Sequence, residues 1–190
     1  LRLDGSGRLN NGDHWMPVTV NGTLKYNSAL DQTLRGAISG TGAIVKGNTG
    51  TLHVNGSNTF SGSVTVNGGT LSANPGTAAT NRAFSFVSGI TVNNGATLKA
   101  GANGLFGWDG TQARPVTVNA GGTLTIDAAG TDVNVGTVTL NGGTLAGGPG
   151  PEWGSWNFGR AASVNPGSGR LVVTADSTVT ATNVIFHDGA

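Results

Sequence analysis

Cysteine is absent from the 190 residues, which excludes disulfide staples and thiolate metal sites and leaves the redox compartment undefined. Charge is scarce. Only 10% of residues are charged, the ten Lys and Arg stand singly, and the formal net charge is +1, so no basic stripe is available to draw nucleic acid onto a surface. Nucleic acid is set aside as a partner. No apolar run approaches the length of a membrane span, so membrane insertion by this segment is not expected. Helical periodicity is also missing: Leu30, Leu34 and Ile38 have the spacing, but Gly36 and the strand-like phrases on both sides favour strand and turn.

What fills the chain instead is glycine, 34 residues of it, with much Thr, Asn, Ser and Val. Disordered chains are poor in β-branched residues and this one is rich in them, so many short strands joined by turns are expected. The stretch from Gly36 to Ala73 organises the rest. Its closing phrase, Val64-Thr65-Val66-Asn67-Gly68-Gly69-Thr70-Leu71, returns as Val18 to Leu24, as Ile90 to Leu98, as Val116 to Leu124 and as Val138 to Leu145. Measured on the closing leucines (Leu24, Leu52, Leu71, Leu98, Leu124, Leu145 and Leu171), the units are 19 to 28 residues long. A period in that range signals stacked solenoid coils, with the surplus residues bulging out as loops.

Within Val-Thr-Val both valines face one side and the threonine the other, because side chains alternate along a strand. Stacking coils about 4.8 Å apart then puts Val66, Val92, Val118 and Leu140 in one interior column and Thr65, Thr91, Thr117 and Thr139 in an exterior one. The asparagine after each strand marks a corner. Asn67, Asn93, Asn119 and Asn141 are expected to form a structural ladder, each amide bonding the next. The fold class expected is all-β, a right-handed parallel β-helix (β-solenoid) of about seven or eight coils with loop insertions, spanning residues 1–190 as one unit.

One unit carries a family resemblance. Gly40-Thr41-Gly42-Ala43-Ile44-Val45-Lys46, Gly50-Thr51-Leu52-His53-Val54, Asn58-Thr59-Phe60-Ser61-Gly62 and then Val64 to Leu71 resemble the autotransporter-associated β-strand repeat, also called the passenger-associated transport repeat. The resemblance implies a right-handed parallel β-helix in a large secreted or surface-displayed bacterial protein, often an autotransporter passenger, and a repeat that is not itself catalytic. Nothing here resembles the membrane barrel of an autotransporter, which needs a series of alternating strands of about ten residues.

Three stretches read as insertions: Asn74 to Phe86, Gly101 to Pro115 with Trp108, and Gly147 to Gly159. Exposed loops on a rigid stem are where binding usually sits. Trp153, Trp156 and Phe158, near Glu152, and also Trp108, are candidates for stacking on sugar rings or, alternatively, for packing against the solenoid. Catalysis has little support. Polysaccharide-cleaving β-helices need carboxylates in register on neighbouring coils, and the nine acids are dispersed, with only Asp127 and Asp132 close in sequence.

No cofactor is expected. His14, His53 and His187 are remote from one another, no metal-ligand spacing occurs, and no phosphate-binding glycine loop leads into a helix. The threonine columns resemble the hydroxyl arrays of ice-binding solenoids, but each phrase holds one threonine where those place two. The chain starts inside what reads as a strand at Leu1 and finishes on an apolar strand-like segment, Val179 to Phe186. Uncapped strand edges pair with what they meet. The segment therefore reads as a section of a longer stalk or as a protomer that pairs with itself end to end, with surface glycans as the alternative partner and the cell surface or exterior as its place.

Overall fold

The computed structural model describes residues 1–74, 82–107, 114–127, 131–147, 154–159 and 169–187. The backbone winds as a β-solenoid with parallel strand pairing throughout its ladders. One wall holds eight strands: Arg2–Gly5, Thr23–Ser28, Ala43–Lys46, Val64–Val66, Ile90–Val92, Val116–Asn119, Thr137–Asn141 and Arg170–Ala175. A second wall also holds eight, Asp13–His14, Gln32–Leu34, Thr51–Val54, Gly69–Ala73, Ala96–Ala100, Thr123–Ile126, Thr144–Leu145 and Thr178–Val179. The third wall is less regular. Its strands Val18–Thr19 and Ile38–Ser39 form one short sheet, and Val133–Val135, Trp156–Phe158 and Val184–Phe186 another. The expected seven or eight coils thus differ slightly from what is seen, since among the described residues eight levels carry strands on two walls and five carry one on the third.

Alternation drives this winding. In the first wall Val64, Ile90, Val116 and Val138 stack in one buried column and Val66, Val92, Val118 and Leu140 in another, with Thr65, Thr91, Thr117 and Thr139 outside between them. In the second wall Leu52, Leu71, Leu98, Leu124 and Leu145 stack over one another, all fully buried. Each such leucine removed from water contributes on the order of 1.5–3 kcal/mol, which is why the repeat returns to leucine at that position.

Two leucines of the repeat belong elsewhere. Leu24 pairs with Ile44 and Leu171 with Val138, so both sit in the first wall. The phrase Val18 to Leu24 therefore runs from the third wall into the first, one wall out of phase with Val64 to Leu71. Under Leu52 the second-wall column holds Gln32, buried, whose Oε1 accepts the Leu9 N–H at 2.7 Å and whose Nε2 donates to Thr33 O at 2.9 Å.

The insertions are partly misnamed as loops. Phe84 and Phe106 are fully buried and stacked at 6.4 Å, and Phe60 lies in the same core. Aromatic rings thus line the third wall at levels where the described residues form no strand. There the backbone is satisfied by side chains: Asn58 Oδ1 accepts the Ile38 N–H at 2.8 Å, and Arg114 Nε donates to Ser85 O at 2.6 Å. Buried backbone groups must find a partner of some kind, and these irregular levels supply one.

Corners are tight. A Cβ on Gly42 would lie 2.0 Å from the carbonyl oxygen of Gly22, and one on Gly62 would lie 2.1 Å from that of Gly42. Only glycine admits so close a backbone approach.

Candidate functional site

The outward corner of the first wall carries the most regular polar array. Asn93 Nδ2 donates to Asn67 Oδ1 at 2.7 Å, Asn119 Nδ2 to Asn93 Oδ1 at 2.7 Å, and Asn141 Nδ2 to Asn119 Oδ1 at 3.2 Å. Thr174 Oγ1 then donates to Asn141 Oδ1 at 3.2 Å, from the extra residue of a bulge. Asn93, Asn119 and Asn141 each use one donor and one acceptor on their neighbours and Asn67 accepts at the foot of the run, so the array is occupied with holding coils in register. Lower in the solenoid the same corner holds Asn27, whose Nδ2 donates to Asp4 Oδ1 at 2.9 Å. That bond, followed by Arg2, holds the Asp4 carboxyl below the usual carboxylate range.

Gly47 interrupts the array between Asn27 and Asn67, and at that level the connection is made from inside. Lys46 occupies the interior position between Tyr26 and Val66 and is fully buried. Its Nζ donates to Gly47 O at 2.6 Å, Asn48 O at 2.9 Å and Gly68 O at 3.0 Å, joining two levels. Burial pushes its pKa down to about 8, and the Asp31 carboxylate pulls the other way. Three donors matched to three carbonyls make a satisfied structural ammonium, with no proton to spare for chemistry.

The aromatic candidates divide. Trp156 and Phe158 are core residues, fully buried, with Trp156 Nε1 donating to Ala146 O at 2.8 Å and Phe158 stacked on Phe186 at 4.9 Å. Neither offers a ring face to a sugar. The reason is local: both fall on a strand of the third wall whose alternation turns them inward. Trp153 and Trp108 lie outside the described residues.

Two polar networks involve acids. On the second wall Ser72 Oγ donates to Asp127 Oδ2 at 2.9 Å while Lys99 Nζ pairs with Asp127 Oδ1 at 3.3 Å, and His53 lies next to Ser72 in register. On the third wall His187 Nε2 bonds Asn157 Oδ1 at 2.9 Å, Asn157 Nδ2 donates to Ser155 Oγ at 2.7 Å, and Ser155 Oγ donates to Asp132 Oδ1 at 2.5 Å. Asp127 and Asp132, close in sequence, are therefore engaged by different partners. In each network the hydroxyl is buried and donates to a carboxylate, so neither serine is poised as a nucleophile that a base could activate.

His14, His53 and His187 sit on the first, third and last levels. Among the described residues no three His, Asp or Glu side chains gather to hold a metal ion. No described helix is long and apolar enough to cross a membrane. Sequence reasoning passed over two residues. Lys46 stands where the phrase has valine, which was the available signal. Trp15, which belongs to none of the repeated phrases, is 66% exposed, and nothing in its neighbours announces that.

Comparison with known proteins is consistent with a structural role. Residues 44–73 match the family model described as Passenger-associated-transport-repeat. No curated protein and no solved structure matches the chain. The matched residues include Ile44, Leu52, Val54, Val64, Val66 and Leu71, which are all buried, so the family pattern coincides with the core of the solenoid.

Proposed function

We propose that this chain is a passenger-like structural solenoid, held outside a bacterial cell as a stalk or display scaffold and able to extend itself by end-to-end pairing with a second copy. The observation that carries this reading is the continuity of its columns. Two walls pass through every level without a break, and the polar groups found along them are spent on neighbouring levels. Quasi-one-dimensional stacking of that kind makes length and stiffness, and each level is stabilised chiefly by the next.

Pairing between copies is supported by the composition of the end levels. Val173, which stacks over Leu140, is 58% exposed, and Val179, Ile185 and Phe186 beside it are 46%, 41% and 53% exposed. At the opposite end Leu3 occupies the column that runs through Tyr26. Apolar columns of this kind are continued by like columns stacked head to tail, and between copies such a contact repeats without closing.

Electron microscopy of the purified chain, paired with light scattering on dilution, tests the proposal. Unbranched fibres of a single width, shortening reversibly on dilution, are the expected outcome. Short particles of one length at every concentration would remove self-extension and leave the stalk, and compact particles with no long axis would remove both.

A further inference from the structure

Above the Lys46 level the outer face of the first wall repeats one phrase, Thr-x-Asn, at four consecutive levels. Thr65, Thr91, Thr117 and Thr139 pair level to level with no shift of register, and all four are half-buried. Two residues on, the asparagines of the ladder stand in a second rank on the same side, because side chains alternate along a strand. The result is two parallel ranks whose members are about 4.8 Å apart from level to level. No ionisable side chain stands in either rank at these levels. Val45 below and Val172 above continue the threonine rank, again without charge.

Both ranks are stiff, and both keep hydrogen-bonding capacity in hand. Threonine is restricted at χ1, so its methyl and hydroxyl hold their places between identical neighbours. Asn93 and Asn119 each spend one amide N–H and one lone pair on the ladder, which leaves a second N–H and a second lone pair for an outside partner. The second wall offers a contrast. Its threonine rank is longer, running from Thr51 through Thr70, Thr97, Thr123 and Thr144 to Thr178. The rank beside it, however, holds His53, Ser72 and Lys99, and Lys99 is ion-paired with Asp127. Charge interrupts that face, and the first wall has none.

A partner for the first-wall face has to be uncharged, has to repeat at the strand spacing, and has to donate and accept hydrogen bonds at every point. An ionic surface would need a field of opposite sign, which is missing here. A glycan packs its C–H faces on aromatic rings, and neither rank contains one. Crystalline water meets all three conditions. Each molecule in it both donates and accepts, and its surface oxygens repeat at close to the interval between coils. We propose that the Thr65 to Asn141 face of the first wall binds ice. The second hydroxyl rank of ice-binding solenoids is replaced here by the asparagine ladder, whose internal bonds keep that rank in place. This goes beyond the scaffold role, because a stalk needs no charge-free lattice on one of its walls.

The test is growth of ice in solutions of the full chain, read as thermal hysteresis and as the coarsening rate of a polycrystalline film. The expected result is faceted crystals and coarsening arrested at micromolar protein. Thr117→Tyr, which stands a ring on the plane, and Thr91→Lys, which sets a charge there, are each expected to require about tenfold more protein or to lose the effect. Thr97→Tyr, on the second wall, is expected to match the parent. Circular dichroism melts identify the variants that fold, and the folded ones are compared. The proposal is overturned if the parent coarsens ice at the rate of an equal concentration of serum albumin. It is equally overturned if the folded first-wall variants act as the parent does, or if Thr97→Tyr loses as much as they do. Adsorption to microcrystalline cellulose with no effect on ice would also overturn it and make the face a glycan surface. The scaffold reading survives any of these failures, since it is read from fibre images.

Discussion

Asn93 donates its side-chain amide to Asn67 at 2.7 Å across 26 residues of chain, and in turn accepts the amide of Asn119 at 2.7 Å. One side chain thus ties together three coils that the backbone ladder already joins, and it acts at the corner where strand pairing stops.

Removing that link is expected to cost about 1–2 kcal/mol, the net worth of two hydrogen bonds at a partly exposed site. Asn93→Ala should lower the urea midpoint by a corresponding amount. Asn141→Ala should show at least the loss of its bond to Asn119. An Asn93→Ala midpoint equal to the parent's would mean the corner amides carry no stability.

Glycine at the tight corners gives a sharper contrast. Gly42→Ala and Gly62→Ala push a methyl to 2.0 and 2.1 Å from a backbone carbonyl oxygen, whereas Gly22→Ala meets nothing within 4 Å. The first two are expected to lose roughly 2–4 kcal/mol or fail to fold, and the third to melt within about 0.5 kcal/mol of the parent. Thermal unfolding monitored by far-ultraviolet circular dichroism compares all three.

Lys46 makes stability depend on pH with a definite sign. Burial pushes its pKa down to about 8 from the ordinary 10.5 of lysine, so between those values the unfolded chain binds more protons and stability rises with pH. The gain amounts to at most ~3 kcal/mol, and it is complete only above the unfolded pKa. Tyr26, stacked below it, acts oppositely: burial raises its pKa above 10.0, so the unfolded chain ionises first and stability falls as pH climbs past that point. Urea melts from pH 7 to 10 should show the rise in the parent and a flat profile in Lys46→Met.

The buried tryptophan and the exposed one should separate cleanly. Trp156→Ala empties a fully buried site and orphans Ala146 O, with an expected loss of about 3–5 kcal/mol. Trp15→Ala should leave the unfolding midpoint in place, because its ring is 66% exposed. Chemical denaturation of both variants reads the difference.

The unit of construction is written in neighbouring residues. A Val-Thr-Val strand has only one amphipathic reading, since side chains alternate with a period of two. An asparagine-glycine corner recurring at coil length then leaves stacked parallel levels as the arrangement that buries every valine at once. Local chemistry of that kind is written in adjacent residues, and so the columns through Val66 and Leu71 could be laid out in advance.

Which wall each phrase occupies is settled by the folded chain. Val18-Thr19-Val20 and Val64-Thr65-Val66 share their letters, yet the first begins on the third wall and the second lies in the first. Alternation is identical on every wall, so the phase of the winding is set by contacts across levels. Those contacts also turned Phe84, Phe106 and Trp156 inward from stretches that look like loops, because an irregular wall still has to fill the interior it faces. The same cross-level registry placed Arg35 over Trp15, a meeting of residues 20 positions apart that no local pattern encodes.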